Sequence, residues 1–185
     1  MFAVTCPLTF SGTAQHSYDY VGLNDYITIS TGQTTGSYTT NIVNDGLDAP
    51  DQTIILTLGT PTNATLGTNT THTCTINAYD DAPTVNFAPV SQSIPEGAGA
   101  GAVTFTEELS SVSGFDVTVP FTVGGTAENP EDHDAVNDNI IISAGQTTGS
   151  YTATIVNAGL DEPDVTIILT MVTPPTATLG LNTTH

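Results

Sequence analysis

The chain has 185 residues with 19 acids, four histidines and neither lysine nor arginine, giving a formal net charge of −19 at pH 7. Average usage would supply about 20 basic residues, so their absence is a property of the sequence and not a fluctuation. With no cationic side chain to neutralise phosphates, the composition argues against DNA or RNA as a partner; anionic membranes repel such a chain, and cations are the natural partners of its field.

Apolar and polar residues alternate from the start. Phe2, Val4, Cys6, Leu8 and Phe10 share one face of a predicted strand. Further strands are expected near 26–30, 36–43, 52–59 and 71–79, then over Thr84–Ile94 and Ala102–Glu108. Phe115, Val117, Val119, Phe121 and Val123 repeat the first pattern, and strands follow near 139–143, 149–156 and 165–172. No 3.6-residue period marks a helix. Thr, Val, Ile and Tyr suit pleated surfaces, and short strands with frequent turns indicate an all-β sandwich. Charged residues make up 10% and hydrophobic ones 38%, unlike a disordered acidic tail. No apolar run approaches the ~20 residues of a membrane span, so no membrane insertion is expected. The first residues lack the basic n-region and apolar core of a signal peptide.

The chain also repeats itself at a constant offset of 113 residues. Gly32-Gln33-Thr34-Thr35-Gly36-Ser37-Tyr38 returns as Gly145-Gln146-Thr147-Thr148-Gly149-Ser150-Tyr151, and Ala64-Thr65-Leu66-Gly67 as Ala177-Thr178-Leu179-Gly180. Between Gly32 and His72, 31 of 41 positions match their counterparts. A period of this length indicates whole modules strung like beads. The hinge falls at Asp80-Asp81-Ala82-Pro83, giving one module over 1–82 and a second over 83–185. Residues 73–113 occur once and hold what the copies lack. The first module is without its early strands and the second without its last. This pattern points to an excerpt of a longer array, or to completion by neighbouring chains. It would leave sheet edges open.

The order of motifs resembles the Calx-β domain. The second module reads Ser93-Ile94-Pro95-Glu96-Gly97, then Gly125-Thr126-Ala127, Glu131-Asp132-His133, Gly159-Leu160-Asp161-Glu162-Pro163-Asp164 and Ala177-Thr178-Leu179-Gly180. The first has Gly12-Thr13-Ala14, Tyr18-Asp19-Tyr20, Gly46-Leu47-Asp48-Ala49-Pro50-Asp51 and Asp80-Asp81. The resemblance covers essentially the whole chain and implies tandem seven-stranded antiparallel β-sandwiches, immunoglobulin-like, that often bind Ca²⁺ at one end. Carried over by matching position, the implied ligands are Glu96, Asp132, Asp161, Glu162 and Asp164 in the second module. In the first they are Asp19, Asp45, Asp48, Asp51, Asp80 and Asp81. The chemistry agrees, because Ca²⁺ takes six to eight hard oxygens and loops at one end of a sandwich can converge to supply them. The chain departs from the family where paired acids are usual: it has Asn44-Asp45 and Asn157-Ala158. The competing account is that these acids are solvated turn residues.

The remaining chemistry-bearing residues form no catalytic pattern. His16, His72, His133 and His185 show no zinc spacing and read as surface histidines. Cys6 and Cys74 both fall on inward faces and read as buried free thiols, while an oxidising compartment would permit a disulfide. Asn63, Asn69 and Asn182 begin N-x-Thr sequons. No nucleophile motif, phosphate loop or paired catalytic acid stands out, so no enzyme is expected. The leading expectation is a structural repeat of an extracellular filament or giant surface adhesin, rigidified by Ca²⁺ at module ends and junctions, with copies of itself or adjacent repeats as partners. Lacking Lys and Arg, the chain offers trypsin-like proteases no cleavage site. The alternative is a calcium-sensing or ligand-binding adhesin module, with Tyr18, Tyr20 and Tyr26 as a candidate contact cluster.

Overall fold

The computed structural model describes residues 2–22, 24–95, 101–157, 159 and 162–185, and they divide into two compact units, Met1–Tyr79 and Asp80–His185. The regular elements among the described residues are strands. Among the described residues no helix is long and apolar enough to cross a membrane.

In unit 1, β1 (Val4–Gly12) pairs antiparallel with β3 (Tyr26–Ile29) on one side and β5 (Gln52–Leu58) on the other. β6 (Thr71–Ile76) closes the sheet in the order β3-β1-β5-β6. A separate two-residue pairing joins β2 (Tyr20–Val21) to β4 (Asn41–Ile42).

The described residues of unit 2 form seven strands in two sheets. β9 (Val117–Gly125) lies between β10 (Asp138–Ile142) and β12 (Ile167–Met171). The second sheet runs β11-β8-β7-β13, from β7 (Thr84–Phe87), β8 (Ala102–Leu109), β11 (Thr148–Thr154) and the two-residue β13 (Thr178–Leu179), which is parallel to β7. At the chain's end Thr184 bridges Thr170, and Leu169 and His185 exchange backbone hydrogen bonds of 3.0 Å. Thr184 and His185 are the counterparts of Thr71 and His72, the first two residues of β6.

Period-2 burial builds the unit 2 core. Val117, Val119 and Phe121 of β9 point inward and meet Val103 and Phe105 of β8 and Ile140 and Ile142 of β10 in one fifteen-residue cluster. Full burial of such side chains is worth about 1.5–3 kcal/mol each. The aromatic ring of Tyr151 packs against Phe121 with centroids 4.8 Å apart, while its hydroxyl accepts the Val136 N–H at 3.1 Å. Among the described residues of unit 1, the buried apolar side chains are four: Cys6, Leu8, Tyr20 and Ile54.

Three expectations need correction. The strand expected near 36–43 shrinks to Asn41–Ile42. Its counterpart β11 pairs with β8 along seven residues, and the described residues of unit 1 hold no equivalent of β8. The strand expected over Thr84–Ile94 stops at Phe87, ahead of Pro89, which has no N–H to offer a ladder. Cys6 is buried as expected, but Cys74 is exposed on the edge strand β6, although Ile54 opposite it on β5 is buried.

Candidate functional site

Both units build one end in the same way. β9 ends at Gly125 with φ of 118°, a region open to glycine, and a Cβ there would lie 2.0 Å from the Thr166 carbonyl oxygen. That close approach lets Thr126 and Thr166 clasp each other. The Thr126 N–H donates to Thr166 Oγ1 at 3.2 Å and the Thr166 N–H donates to Thr126 Oγ1 at 3.0 Å. The loop beyond curls on itself. The Glu128 N–H donates to Asp132 Oδ2 at 2.7 Å, and the Val156 N–H donates to the Asp132 carbonyl at 2.8 Å.

Asp132 is thereby brought to the wall of a cavity of about 560 Å³, which Glu162 and Asp164 also line. Ser93, Ile94 and Pro95 form part of another wall. Asp132 is half-buried; Glu162 and Asp164 are exposed. Glu96 and Asp161 lie outside the described residues. Among the described residues, no three of His, Cys, Asp and Glu stand close enough together to form a ready metal-binding group.

Unit 1 repeats the frame. Gly12 has φ of 115°, and Thr13 and Thr53 form the same clasp, with the Thr53 N–H donating to Thr13 Oγ1 at 2.9 Å. Asp19, the counterpart of Asp132, accepts the Gln15 N–H on Oδ2 and the Gln52 amide on Oδ1 at 3.2 Å. Asp45 accepts the Leu47 N–H at 3.1 Å, a local turn contact. Asp51 accepts the Ala78 N–H at 2.7 Å and so ties the chain beyond β6 to the start of β5. Asp48 is half-buried. Asp80, half-buried, and Asp81, exposed, open unit 2. The frame thus joins Asp19 to Gln52, one residue from Asp51, and leaves Asp45 in its own turn.

Three ionisable groups have surroundings that the sequence did not make legible. His133 is buried, not a surface residue, and its Nδ1 accepts the Ala135 N–H at 3.0 Å. It stands between two aspartates, a pattern that reads as solvated. Asp134 accepts the Thr154 N–H at 2.6 Å, and that backbone donor, helped by the Thr154 side chain, holds its carboxyl below the usual carboxylate range. Glu107 is fully buried on β8 with no hydrogen-bond partner on either carboxyl oxygen, and burial pushes it up to about 8. Of the three candidate tyrosines, Tyr18 and Tyr26 are exposed but Tyr20 is buried, its ring edge-on to His16 at 5.6 Å. A three-tyrosine surface cluster does not form.

Two sheets in unit 2, a loop end repeated in unit 1 and a 113-residue period define a tandem β-sandwich protein. The model of the Calx-beta domain matches residues 3–82 and again 78–181, so the chain belongs to that family and carries the domain twice. Among solved structures, CBD12 from CALX1.2 is similar, with 18% identity over 96% of this chain and 71% of that one and a TM-score of 0.44. The calcium binding domain CBD12 of CALX1.1 is similar too, with 16% identity over 98% of this chain and 71% of that one and a TM-score of 0.45. No curated protein matches the sequence.

Proposed function

We propose that this chain is a calcium-binding structural stretch of an extracellular filament or giant surface adhesin, in which Ca²⁺ at the loop ends of its modules stiffens the array. The observation that carries this is the unit 2 cavity lined by Asp132, Glu162 and Asp164, in a chain with neither lysine nor arginine to offset them. Carboxylates that line one cavity without being drawn into a cluster would have to close around a hard divalent cation, which asks for six to eight oxygen ligands. Glu96 and Asp161 adjoin the cavity-lining segments in sequence and would complete the set. In the first module the ligands would come from Asp19, Asp45, Asp48 and Asp51, with Asp80 and Asp81 after the last strand. The hydrogen bonds that Asp19, Asp51 and Asp132 accept orient them and leave further lone pairs for a cation. The role assigned is one of binding and mechanical support, not catalysis.

Thermal unfolding with calcium and with excess chelator tests the binding. Ca²⁺ at 100 times its dissociation constant should add about 2.7 kcal/mol per site, and Asp132→Asn combined with Glu162→Gln should remove the unit 2 share. Identical unfolding in both conditions would reject calcium binding. Electron microscopy of the same samples tests the mechanical role, which predicts straight fibres with calcium and bent or broken ones without. The alternative, a calcium-sensing or ligand-binding adhesin module, draws on the exposure of Tyr18 and Tyr26. It would be favoured by a calcium-dependent ligand affinity that Tyr18→Ala abolishes while fibre straightness is unchanged.

A further inference from the structure

The two sides of the unit 1 sheet differ in kind. Cys6, Leu8 and Ile54 point inward and are buried, and the residues between them on each strand point outward. On that outward side the register sets hydroxyl residues in rows across three strands. Thr9 pairs with Thr57 and Thr57 with Thr71; Ser11 pairs with Ile55 and Ile55 with Thr73. Thr53–Thr75 and Thr5–Thr28 extend the pattern. Thr9, Ser11, Thr71 and Thr73 are exposed. None of these residues is an acid, in a chain of net charge −19. The first row returns in unit 2 as Thr122–Thr170–Thr184, all three exposed, on the side of β9 and β12 that faces away from the core cluster. It is the outer surface of the sandwich, so no strand of the module belongs over it. The outward side of the other unit 2 sheet is different, since it carries Glu108 of β8 opposite Thr148.

We propose that this outward threonine face of unit 1 docks on the same face of a second copy of the chain, side by side. Charge selects the occupant. Two copies, each at −19, repel wherever their acids approach, and neither lysine nor arginine is present to bridge them. On the threonine face two copies can meet without setting carboxylate against carboxylate. An anionic partner would be repelled by the chain as a whole, and a cationic one drawn to the acids of the loops. A threonine hydroxyl both donates and accepts, so the face is complementary to itself, as a two-fold contact requires. Twisted sheets stack in this way about 10 Å apart, with strand directions within about 30°. Strand spacing and rise give a footprint of roughly 400 Å² per copy, or about 800 Å² in total. That is below the ~1,200 Å² of a stable interface. One such contact is therefore weak, and it gains strength when it recurs along an array. The surface is separate from the calcium site and does not depend on it.

Analytical sedimentation of the full chain tests this, over a wide concentration range and in excess chelator, at low salt and at about 1 M NaCl, where the screening length falls to about 3 Å. The association constant should rise at least about tenfold at high salt, as the acids are screened. Thr71→Asp with Thr73→Asp sets like charges against each other across the contact and should lower the constant by about tenfold or more. The same charge added as Thr104→Asp with Thr152→Asp, on the outward side of the other sheet, should leave it unchanged. Thr73→Asp alone repeats the test should the double variant fail to fold, and should still lower the constant severalfold. Self-association that survives the changes at Thr71 and Thr73, or that high salt weakens, would overturn the proposal, as would none up to millimolar chain. Retention of the chain on cross-linked dextran, lost in the same variants and without self-association, would assign the face to a neutral sugar and would overturn it too.

Discussion

Unit 1 and unit 2 carry counterpart side chains on their inner faces, yet Ile140 is 1% exposed while its counterpart Ile27 is half-buried. The loop ends show the opposite behaviour: the threonine clasp, the positive-φ glycine and the curled acidic loop are present in both. Full burial at Ile140 and its cluster therefore draws on a second sheet contributed by distant strands, although Cys6, Leu8 and Ile54 are buried without one, whereas the clasp is set by contacts within the β1–β5 and β9–β12 pairs. The threonine clasp needs only the second of these, while the cavity beside it also draws on Ser93–Pro95 and on Val103 and Phe105 of β8.

Paired substitutions at counterpart positions sharpen the contrast. Ile140→Ala should cost about 2–5 kcal/mol, as expected for a filled core, and Ile27→Ala about 1 kcal/mol or less. Urea unfolding followed by unit-resolved hydrogen exchange would measure both, and equal losses would break the comparison. Glu107 adds a pH dependence confined to unit 2. Its folded value of about 8 lies above its ordinary value, so folded unit 2 keeps a proton that the unfolded chain releases. Stability should be greatest below pH 4.5 as far as this group is concerned, and should fall as pH rises through about 8. Glu107→Gln should flatten that slope and stabilise unit 2 at pH 8 by on the order of 3 kcal/mol, read as a rise in its melting temperature.

The loop end should respond alike in both units. Gly125→Ala and Gly12→Ala force a side chain into a positive-φ position against a carbonyl oxygen. Each should cost about 1–3 kcal/mol from the backbone strain alone; a loss in one unit and not the other would show that the shared frame is not shared. The smallest expected effect is that of the clasp. Thr126→Ala and Thr13→Ala should each cost about 1 kcal/mol, measured by denaturant midpoint.

The sequence made the strands with clear alternation legible. The face of Val117, Val119 and Phe121 was evident, as was the repeat that pairs Asp19 with Asp132. What it could not carry was dependence on partners far along the chain. Residues 35–41 and 148–154 share Thr-Gly-Ser-Tyr-Thr, so any local rule treats them alike, although β8 makes a strand of only one. Cys74 read as buried because its position on the pleat faces inward, and its place on an edge strand is not a local property. His133 read as a surface residue with the other histidines, for want of zinc spacing, and its burial accompanies the bridge to Ile155 far along the chain. The acids implied by the family resemblance could be listed from their order and spacing, and of them Asp132, Glu162 and Asp164 line one cavity. Which of them would be occupied by backbone donors was not legible, since that depends on loop geometry.

The most direct test is amide hydrogen exchange of the intact chain, comparing Thr148–Thr154 with residues 35–41. If strand formation here is decided by the partner strand, the β11 amides facing β8 should exchange at least about a hundredfold more slowly than their unit 1 counterparts. Equal protection of the two segments would contradict that account, because it would mean that this stretch of sequence forms its strand without β8.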